Sequence, residues 1–286
     1  MKLLLTDATN ALGPALEHEL ERESFNLVVS SANALDWTQA GAVADYIHTL
    51  KPDIVINTLG WAVDPRPDQL ELLPKAAANL AAACQPGAVP LIHFSSYRVF
   101  GCDNKSRHSE KDAPVPNSDA GQSFLAAEQA LQLLPRHIVL RLSWVLGSYG
   151  DNPLTRLLKQ LMSGEPVQVN TRLRGAPTAF SDAARVAVAM AKQICCGAEN
   201  WGVMHYCSSD ACTHAEFAEQ VIHSLQQLDF LAEPPSVERI DQLPETEPVS
   251  AVLSCHKARD NFGIQARSWR PSLVPLIKQW HHEQSR

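Results

Sequence analysis

The first two-thirds of the chain alternate short apolar runs with stretches of helical length, and this alternation constrains the fold most. The run DIVINTL at 53–59 is apolar on both faces, which is typical of a parallel strand buried between layers of helices. Comparable runs stand at 2–7, 25–31, 89–96 and 137–144. The pattern predicts repeated βαβ units and therefore an α/β fold with a Rossmann-like, doubly wound parallel sheet.

The remaining periodicities predict where the helices lie and how the chain is divided. Helices are expected at 11–22, 39–50, 69–84 and from Asp119 onward, and then at 153–163, 181–196, 214–228 and 271–282. Short strands are expected at 166–170, 202–207 and 250–254. We therefore predict a larger domain at 1–150 and a smaller C-terminal lobe at 151–286, part of which can return to the sheet.

Composition and charge exclude several classes of function. A formal charge of −7 with scattered basic residues argues against nucleic-acid binding. Asp7 interrupts the first apolar run, which is not a signal peptide, and no run is long enough to span a membrane. The seven cysteines include no CxxC pair, and the histidines show no metal-binding spacing. We expect a cytoplasmic protein with reduced, mostly buried thiols, no bound metal and no membrane contact.

A candidate site follows from the predicted sheet, because ligands of open parallel sheets bind beyond the carboxyl ends of the strands. That edge collects the segments 7–13, 58–65, 95–101 and 143–152. The first of them, DATNALG, has the spacing of a G-x-x-G-x-x-G dinucleotide loop, but Asp7 and Asn10 replace two glycines and only Gly13 remains. Two interpretations stay open, a strand-to-helix turn with Asn10 as the helix N-cap, or a weakened dinucleotide site.

Four segments carry a pattern that covers nearly the whole chain: LDWTQAGAVADYIHTLKPDIVINTLGWAVD (35–64), HFSSYRVFG (93–101), RHIVLRLSWVLGSYGDN (136–152) and RLRGAPTAFSDAARV (172–186). In these segments the chain resembles dTDP-4-dehydrorhamnose reductases of the extended short-chain dehydrogenase/reductase superfamily. The resemblance implies an NAD(P)-binding domain at 1–150, a substrate lobe at 151–286, and chemistry on a nucleotide-linked sugar.

The resemblance also implies which residues contact ligands. NAD or NADP would contact Asp7, Asn10, Ala11, Leu12, Gly13, Asp36, Thr58, Leu59 and Gly60, although the replaced glycines predict weakened or lost binding. A nucleotide or nucleotide sugar would contact Arg141, Ser143, Trp144, Arg174 and Pro177, unless the arginines make ordinary salt bridges. No charged residue stands near Ser31, so the choice between NADH and NADPH stays open.

The catalytic positions depart from the pattern of the family. The motif Tyr-Gly-x-Ser/Thr-Lys-x-x-x-Glu fits the segment beginning at Asp119 at Gly121, Ser123 and Glu128, whereas Ala120 and Phe124 replace its catalytic Tyr and Lys. Losing both partners removes most general acid–base catalysis, a factor of roughly 10²–10⁴.

Other hydroxyl groups could take over part of this chemistry. Ser96 matches a hydroxyl that binds the substrate carbonyl in the family, or it is a serine that caps a strand end. Tyr97 and Tyr149 are the candidates for a substitute proton donor.

Three functional interpretations follow. The first is a catalytically degenerate homologue that binds a nucleotide or nucleotide sugar and serves in regulation or in interaction with a protein partner, which can be a second copy of the same chain. The alternative is an active NAD(P)-dependent reductase or epimerase of a dTDP-4-dehydro-sugar with non-standard catalytic residues. A third is a scaffold whose cleft is filled by its own side chains.

Overall fold

The computed structural model describes residues 1–30, 35–231, 233–243, 245–246 and 248–284. These residues contain twelve strands and nine α-helices, joined by turns and loops. The strands are β1 Lys2–Leu5, β2 Asn26–Val29, β3 Ile54–Asn57, β4 Leu91–Ser96, β5 His137–Leu142, β6 Val145–Leu146, β7 Val167–Asn170, β8 Arg174–Gly175, β9 Thr178–Ala179, β10 Gly202–Tyr206, β11 Cys212–Thr213 and β12 Val237–Ile240. The helices are α1 Gly13–Leu20, α2 Ala40–Leu50, α3 Pro67–Cys84, α4 Asp119–Leu131, α5 Pro153–Ser163, α6 Phe180–Cys195, α7 His214–Gln227, α8 His256–Phe262 and α9 Arg270–Gln284.

The central sheet confirms the expected α/β architecture. Its six strands lie in the order β10-β5-β4-β3-β1-β2, and all five pairings are parallel. Every residue of β3 is buried, as its apolar sequence predicts for a strand covered on both faces. The connection from β1 to β3 passes through the edge strand β2, which places the carboxyl ends of β1, β3, β4 and β5 side by side.

The C-terminal third contains elements of both the sheet and the lobe. The predicted strand at 202–207 pairs with β5 as the sixth strand of the sheet, whereas the strand predicted at 250–254 is wrong. Ser250 and Leu253 make only isolated bridges there, to Arg174 and His108 on two different segments, so no continuous ladder forms. The predicted strand at 25–31 ends at Val29, and residue 31 lies outside the described residues.

Two apolar clusters divide the interior. The larger contains the sheet and the helices packed on it, and the smaller lies among α5, α7 and α9, with Leu157, Phe217, Trp269 and Ile277 among its members. Trp144 packs against both clusters and is itself only partly buried. The groove between sheet and lobe is therefore lined by an aromatic side chain that both cores hold in place.

Helix α5 has strong local signals at both ends. Asn152 accepts hydrogen bonds from the N–H groups of Leu154 (3.1 Å) and Thr155 (3.3 Å), and Pro153 takes the first helical position. Gly164 ends the helix in the left-handed region at φ 75°. This agreement of local signals explains why the predicted bounds 153–163 match the structure.

All seven cysteines are free thiols, of which Cys84, Cys207 and Cys212 are buried, Cys195 and Cys255 are half-buried, and Cys102 and Cys196 are exposed. Among the described residues, no helix has the length and apolar character to span a bilayer, and no three potential metal ligands cluster.

Replacing Gly121 with alanine is expected to lower the free energy of unfolding by about 1–3 kcal/mol, because overpacking forces backbone to move. A Cβ atom at Gly121 would lie 2.2 Å from the carbonyl oxygen of Arg98, in the turn that follows β4. Gly41 is the matched control, since it lies in α2 with no atom within 4 Å of its added Cβ. Urea unfolding should find G41A neutral or more stable and G121A less stable; equal midpoints would contradict the close contact.

Candidate functional site

A cleft of about 320 Å³ opens beyond the carboxyl ends of β4 and β5, between the sheet and the C-terminal lobe. The sheet side contributes Ser95, Ser96, Tyr97, Arg98, Ser143 and Trp144. The lobe side contributes Arg156, Leu157 and Gln160 of α5, Gln168 of β7, and His214 of α7. Its place is the one expected for the ligand site of an open parallel sheet.

Two of the three candidate catalytic hydroxyls lie in this cleft. Ser96 and Tyr97 are neighbours on its wall, where the chain leaves β4. The Ser96 Oγ accepts a hydrogen bond from the Arg98 N–H (3.3 Å), so Ser96 caps the short helical turn Tyr97–Val99. A hydroxyl that accepts this bond still has its own proton to donate. Both interpretations of Ser96 are therefore compatible with its geometry.

Tyr149 lies elsewhere. Its hydroxyl donates to the carbonyl oxygen of Ala11 (3.1 Å), and its ring packs against Phe180 with centroids 5.7 Å apart. Burial raises the pKa of Tyr149 to about 12, and Glu283 adds to the shift. Tyr149 therefore contacts the loop between β1 and α1 and is not one of the residues that line the cleft.

The positions of the family's catalytic pair contribute no polar group to the cleft. Phe124 is fully buried in the core of the sheet domain, and Ala120 lies partly exposed in the first turn of α4. Neither residue lines the cleft. The residues that match the family motif have structural contacts instead, since the Ser123 Oγ donates to the Leu70 carbonyl (2.6 Å) and Glu128 binds Arg141.

Asn10 binds the backbone groups at the N-terminus of α1. Its Oδ1 accepts hydrogen bonds from the N–H groups of Leu12 (2.9 Å) and Gly13 (3.2 Å), and its Nδ2 donates to the Thr58 carbonyl (3.0 Å). Amides at a helix N-terminus are the groups that bind a pyrophosphate in dinucleotide-binding folds. In this conformation both amides are already bonded within the chain.

Asp7 places a carboxylate in the same loop. Its Oδ1 accepts from the N–H (2.8 Å) and hydroxyl (2.7 Å) of Thr9, and its side chain is almost fully buried. Gly13 remains glycine for a steric reason, because a Cβ there would lie 2.0 Å from the Ala8 carbonyl oxygen. A buried carboxylate, two bonded amides and the Tyr149 hydroxyl do not fit a pyrophosphate in this arrangement.

The other predicted cofactor residues divide into two groups. Thr58, Leu59 and Gly60 follow β3 directly beside the loop, where the Thr58 hydroxyl donates to the Asp7 carbonyl (2.5 Å). Asp36 is exposed and accepts hydrogen bonds from Thr38, which lower its pKa. The resemblance places the choice between NADH and NADPH near Ser31, and residues 31–34 lie outside the described residues.

Of the five predicted substrate residues, two line the cleft and three lie elsewhere. Ser143 and Trp144 line the cleft. Arg141 does not, because its guanidinium is buried and binds Glu128 through Nε (2.8 Å) and Nη2 (2.6 Å). Arg174 is exposed on β8, and Pro177 lines a second cavity of about 170 Å³. For Arg141 the salt-bridge interpretation therefore describes the structure.

Two arginines that the sequence did not single out line the cleft instead. The Arg98 Nη1 lies 2.7 Å from one carboxylate oxygen of Asp64, and the Arg156 guanidinium binds the other oxygen of the same carboxylate. Arg156 also binds Asp151, with its Nε 2.7 Å from Oδ1. One carboxylate thus links cations from opposite walls of the cleft. Arg98 lies within the resembling segment 93–101, where the sequence analysis assigned it no ligand contact, and Arg156 lies on α5 outside the quoted segments.

His214 is a further cleft residue that the sequence analysis missed. Its Nδ1 accepts a hydrogen bond from the Asn170 N–H (3.1 Å), which leaves the ring hydrogen on Nε2. Burial lowers the pKa of His214 below its ordinary value. The imidazole therefore enters the cleft neutral and as a hydrogen-bond donor.

Comparisons with known proteins agree with this architecture. The family model described as "RmlD substrate binding domain" matches residues 1–282. The chain is 26% identical over 287 residues to the dTDP-4-dehydrorhamnose reductase of Aggregatibacter actinomycetemcomitans, covering 95% of this chain and 97% of the relative. The crystal structure of a dTDP-4-dehydrorhamnose reductase from Clostridium acetobutylicum is similar with a TM-score of 0.85 and 25% identity, over 98% of this chain and 100% of that one. The Bacillus anthracis reductase, solved in complex with NADP, gives a TM-score of 0.83 at 24% identity, over 97% and 99% of the two chains.

Proposed function

The chain belongs to the RmlD substrate binding domain family, and from that premise we propose that it binds a nucleotide-linked sugar in the cleft between sheet and lobe. The observation that carries the proposal is the pairing of a fixed aromatic side chain with two cations on facing walls. A nucleotide sugar offers matching groups, namely a planar base, a diphosphate and hydroxyls.

Trp144 supplies the aromatic surface. A Cβ on Gly175 would lie 2.1 Å from the Trp144 ring, so the glycine leaves room for the indole to lie against the backbone of β8. Phe217 and His214 flank the ring edge-on, at centroid distances of 6.4 and 6.3 Å. An indole held in this way loses little freedom when a ring packs on it.

Arg98 and Arg156 supply the charge for the diphosphate. Both already hold a carboxylate, Asp64, in a bridging position, and phosphate oxygens make the same charge-assisted hydrogen bonds. We expect the diphosphate to replace Asp64 in part of these contacts. The Nε2–H of His214 and the side-chain amide of Gln160 remain for the sugar or base, whereas the Gln168 amide donates to Glu238 (3.0 Å).

We further propose that binding occurs without hydride transfer. Ala120 and Phe124 hold neither an acidic proton nor a cation, and the loop at 7–13 keeps its amides bonded to Asn10. A bound NAD(P) would supply the hydride to a ketone on the sugar. The residues that would hold its pyrophosphate, Leu12 and Gly13, are engaged within the chain.

An active NAD(P)-dependent reductase or epimerase is the second candidate, and the comparisons favour it over an inactive homologue. The relatives are named for reductase activity, and one of them was solved with NADP. In this chain the Ser96 hydroxyl would bind the substrate carbonyl, and Tyr97, beside it in the cleft, would donate the proton. This candidate requires Asn10 to release the two amides.

Replacing Arg156 with glutamine is expected to weaken the binding of dTDP about tenfold or more, because a hydrogen bond to a charged group contributes about 1.5–3 kcal/mol. Arg156 is partly exposed, so the variant should fold. Arg259→Gln is the matched control, since Arg259 is paired with Asp260 on α8 and does not line the cleft.

Titration calorimetry of dTDP and of thymidine, which lacks the diphosphate, measures these affinities. An unchanged affinity of R156Q for dTDP, or no binding of dTDP by the natural protein, would overturn the proposed site.

Turnover distinguishes the two candidates. The natural protein is incubated with NADPH or NADH and a dTDP-4-dehydro-sugar, and cofactor oxidation is followed by absorbance. Binding without oxidation supports the first candidate. Steady oxidation that is lost in Tyr97→Phe but kept in Tyr149→Phe supports the second.

A further inference from the structure

We propose that Cys207 and Cys255 form a redox-active dithiol that a hydroperoxide oxidises to a disulfide. Their sulfur atoms lie 3.6 Å apart, although the two residues are 48 positions apart in the chain. Cys207 directly follows β10, and Cys255 directly precedes α8. The fold therefore brings together two thiols that the sequence does not pair.

The surroundings assign different roles to the two sulfur atoms. The Cys255 sulfur accepts a hydrogen bond from the Cys207 N–H (3.2 Å) and lies in contact with the Cys207 thiol. The Cys207 thiol has one proton, which can go to the Leu253 carbonyl (3.3 Å) or to the Cys255 sulfur (3.6 Å). In the second position it acts with the Cys207 N–H to stabilise a thiolate and lower the pKa of Cys255, against the effects of burial and of Glu110. The same thiol bond, together with burial, raises the pKa of Cys207. Cys255 is the attacking sulfur and Cys207 the resolving one.

Accessibility agrees with this assignment. Cys255 is partly exposed, whereas Cys207 has only 2% of its surface exposed. Arg107 lies close enough to favour a negative charge on either sulfur. By contrast, burial raises the pKa of Cys84 and of Cys212 to about 12, which keeps both as thiols. Peroxide should therefore react at Cys255 before it reacts at these two buried cysteines.

The chemistry balances with hydrogen peroxide as the oxidant. The Cys255 thiolate attacks one peroxide oxygen, the O–O bond breaks, and a sulfenic acid and hydroxide form. The Cys207 sulfur then attacks the Cys255 sulfur, the S–S bond forms, and the S–O bond breaks. The two thiol protons leave with the two oxygen atoms as water. Two thiols are oxidised and one peroxide is reduced.

The test uses the full chain under native conditions with a small excess of hydrogen peroxide. After alkylation and digestion, mass spectrometry should find the peptides of Cys207 and Cys255 joined, with a loss of about 2 Da for the pair. Thiol titration of the unfolded product should give two fewer than the seven thiols of the reduced chain, and dithiothreitol should restore them.

Two variants complete the design. Cys255→Ser should form no such link, whereas Cys212→Ser, which removes a buried cysteine of the lobe, should form it as the natural chain does. The proposal is overturned if peroxide leaves all thiols intact. It is equally overturned if Cys255 is oxidised to the sulfinic acid while Cys207 stays a free thiol. Peptide mapping of the natural chain decides this even if a variant fails to fold.

Discussion

Replacing Glu128 with alanine is expected to lower the free energy of unfolding by about 3–5 kcal/mol, because it leaves a buried guanidinium without a counter-charge. Arg141 and Glu128 each have only 4% of their side-chain surface exposed. Two hydrogen bonds of 2.8 and 2.6 Å join the guanidinium to the carboxylate, and the Ser95 hydroxyl donates to the same carboxylate at 2.6 Å.

Two comparisons separate the buried charge from other effects. The double variant E128L/R141M should recover most of the loss, because an apolar pair of similar volume replaces a buried ion pair at little cost. Asp260→Ala removes one partner of the exposed pair with Arg259 and should change stability by no more than about 0.5 kcal/mol. Urea unfolding at neutral pH measures all three. Losses of equal size in E128A and D260A would contradict the buried-charge argument.

This pair also explains part of what the sequence predicted on α4. Gly121, Ser123 and Glu128 fit the family motif, and each has a structural contact that fixes α4 to a neighbouring element: a close approach to Arg98 in the turn after β4, a bond to Leu70 of α3, and the ion pair with Arg141 of β5. A sequence pattern therefore located the helix correctly. The pattern did not show that these contacts hold the helix in place even where Ala120 and Phe124 replace the catalytic Tyr and Lys of the family.

The strands and helices of the sheet were predictable because each depends on local pattern. The apolar run of β3 and the caps of α5 specify their elements over a few residues. The strand expected at 250–254 failed because a short extended segment becomes a strand only when one partner runs beside it, and here two different segments bridge it. Pairing of this kind depends on tertiary structure.

The candidate site was predictable only in outline. The rule that ligands bind beyond the carboxyl ends of parallel strands located the cleft, and the resemblance pointed to Ser96 and Trp144. Arg98 and Arg156 come from a turn and a helix 58 positions apart, and only the fold brings both to Asp64. For Arg141 a ligand contact and an ordinary salt bridge both stayed open, because a buried ion pair cannot be distinguished from an anion site in sequence.

Stability is expected to fall by about 4 kcal/mol between pH 7.5 and pH 5 through two buried histidines, His93 and His205. Both side chains are fully buried. Burial lowers the pKa of His93 to about 3, with a smaller effect of His137. Burial, and then the charge of Arg141, lowers the pKa of His205 to about 3.

The sign follows from which state binds more protons. In the unfolded chain a histidine takes up a proton near its ordinary pKa of about 6.5, whereas the folded chain excludes that proton until about pH 3. Between these two pKa values the unfolded state holds up to two more protons than the folded state. Each histidine therefore lowers the free energy of unfolding by up to about 1.4 kcal/mol for each pH unit by which the pH falls. The stabilisation is fully present above about pH 6.5 and is lost as the pH falls through this window.

His93→Gln isolates one half of the effect. The His93 Nδ1 accepts from the Asn57 side-chain amide at 2.9 Å, and a glutamine oxygen can accept the same hydrogen bond without titrating. The difference in unfolding free energy between pH 7.5 and pH 5 should shrink by about 2 kcal/mol relative to the natural chain. Each protein is compared with itself at the two pH values, so a loss of stability that is equal at both does not change the measured difference. An unchanged difference would mean that His93 reaches water in the folded state, which its burial in the centre of β4 argues against.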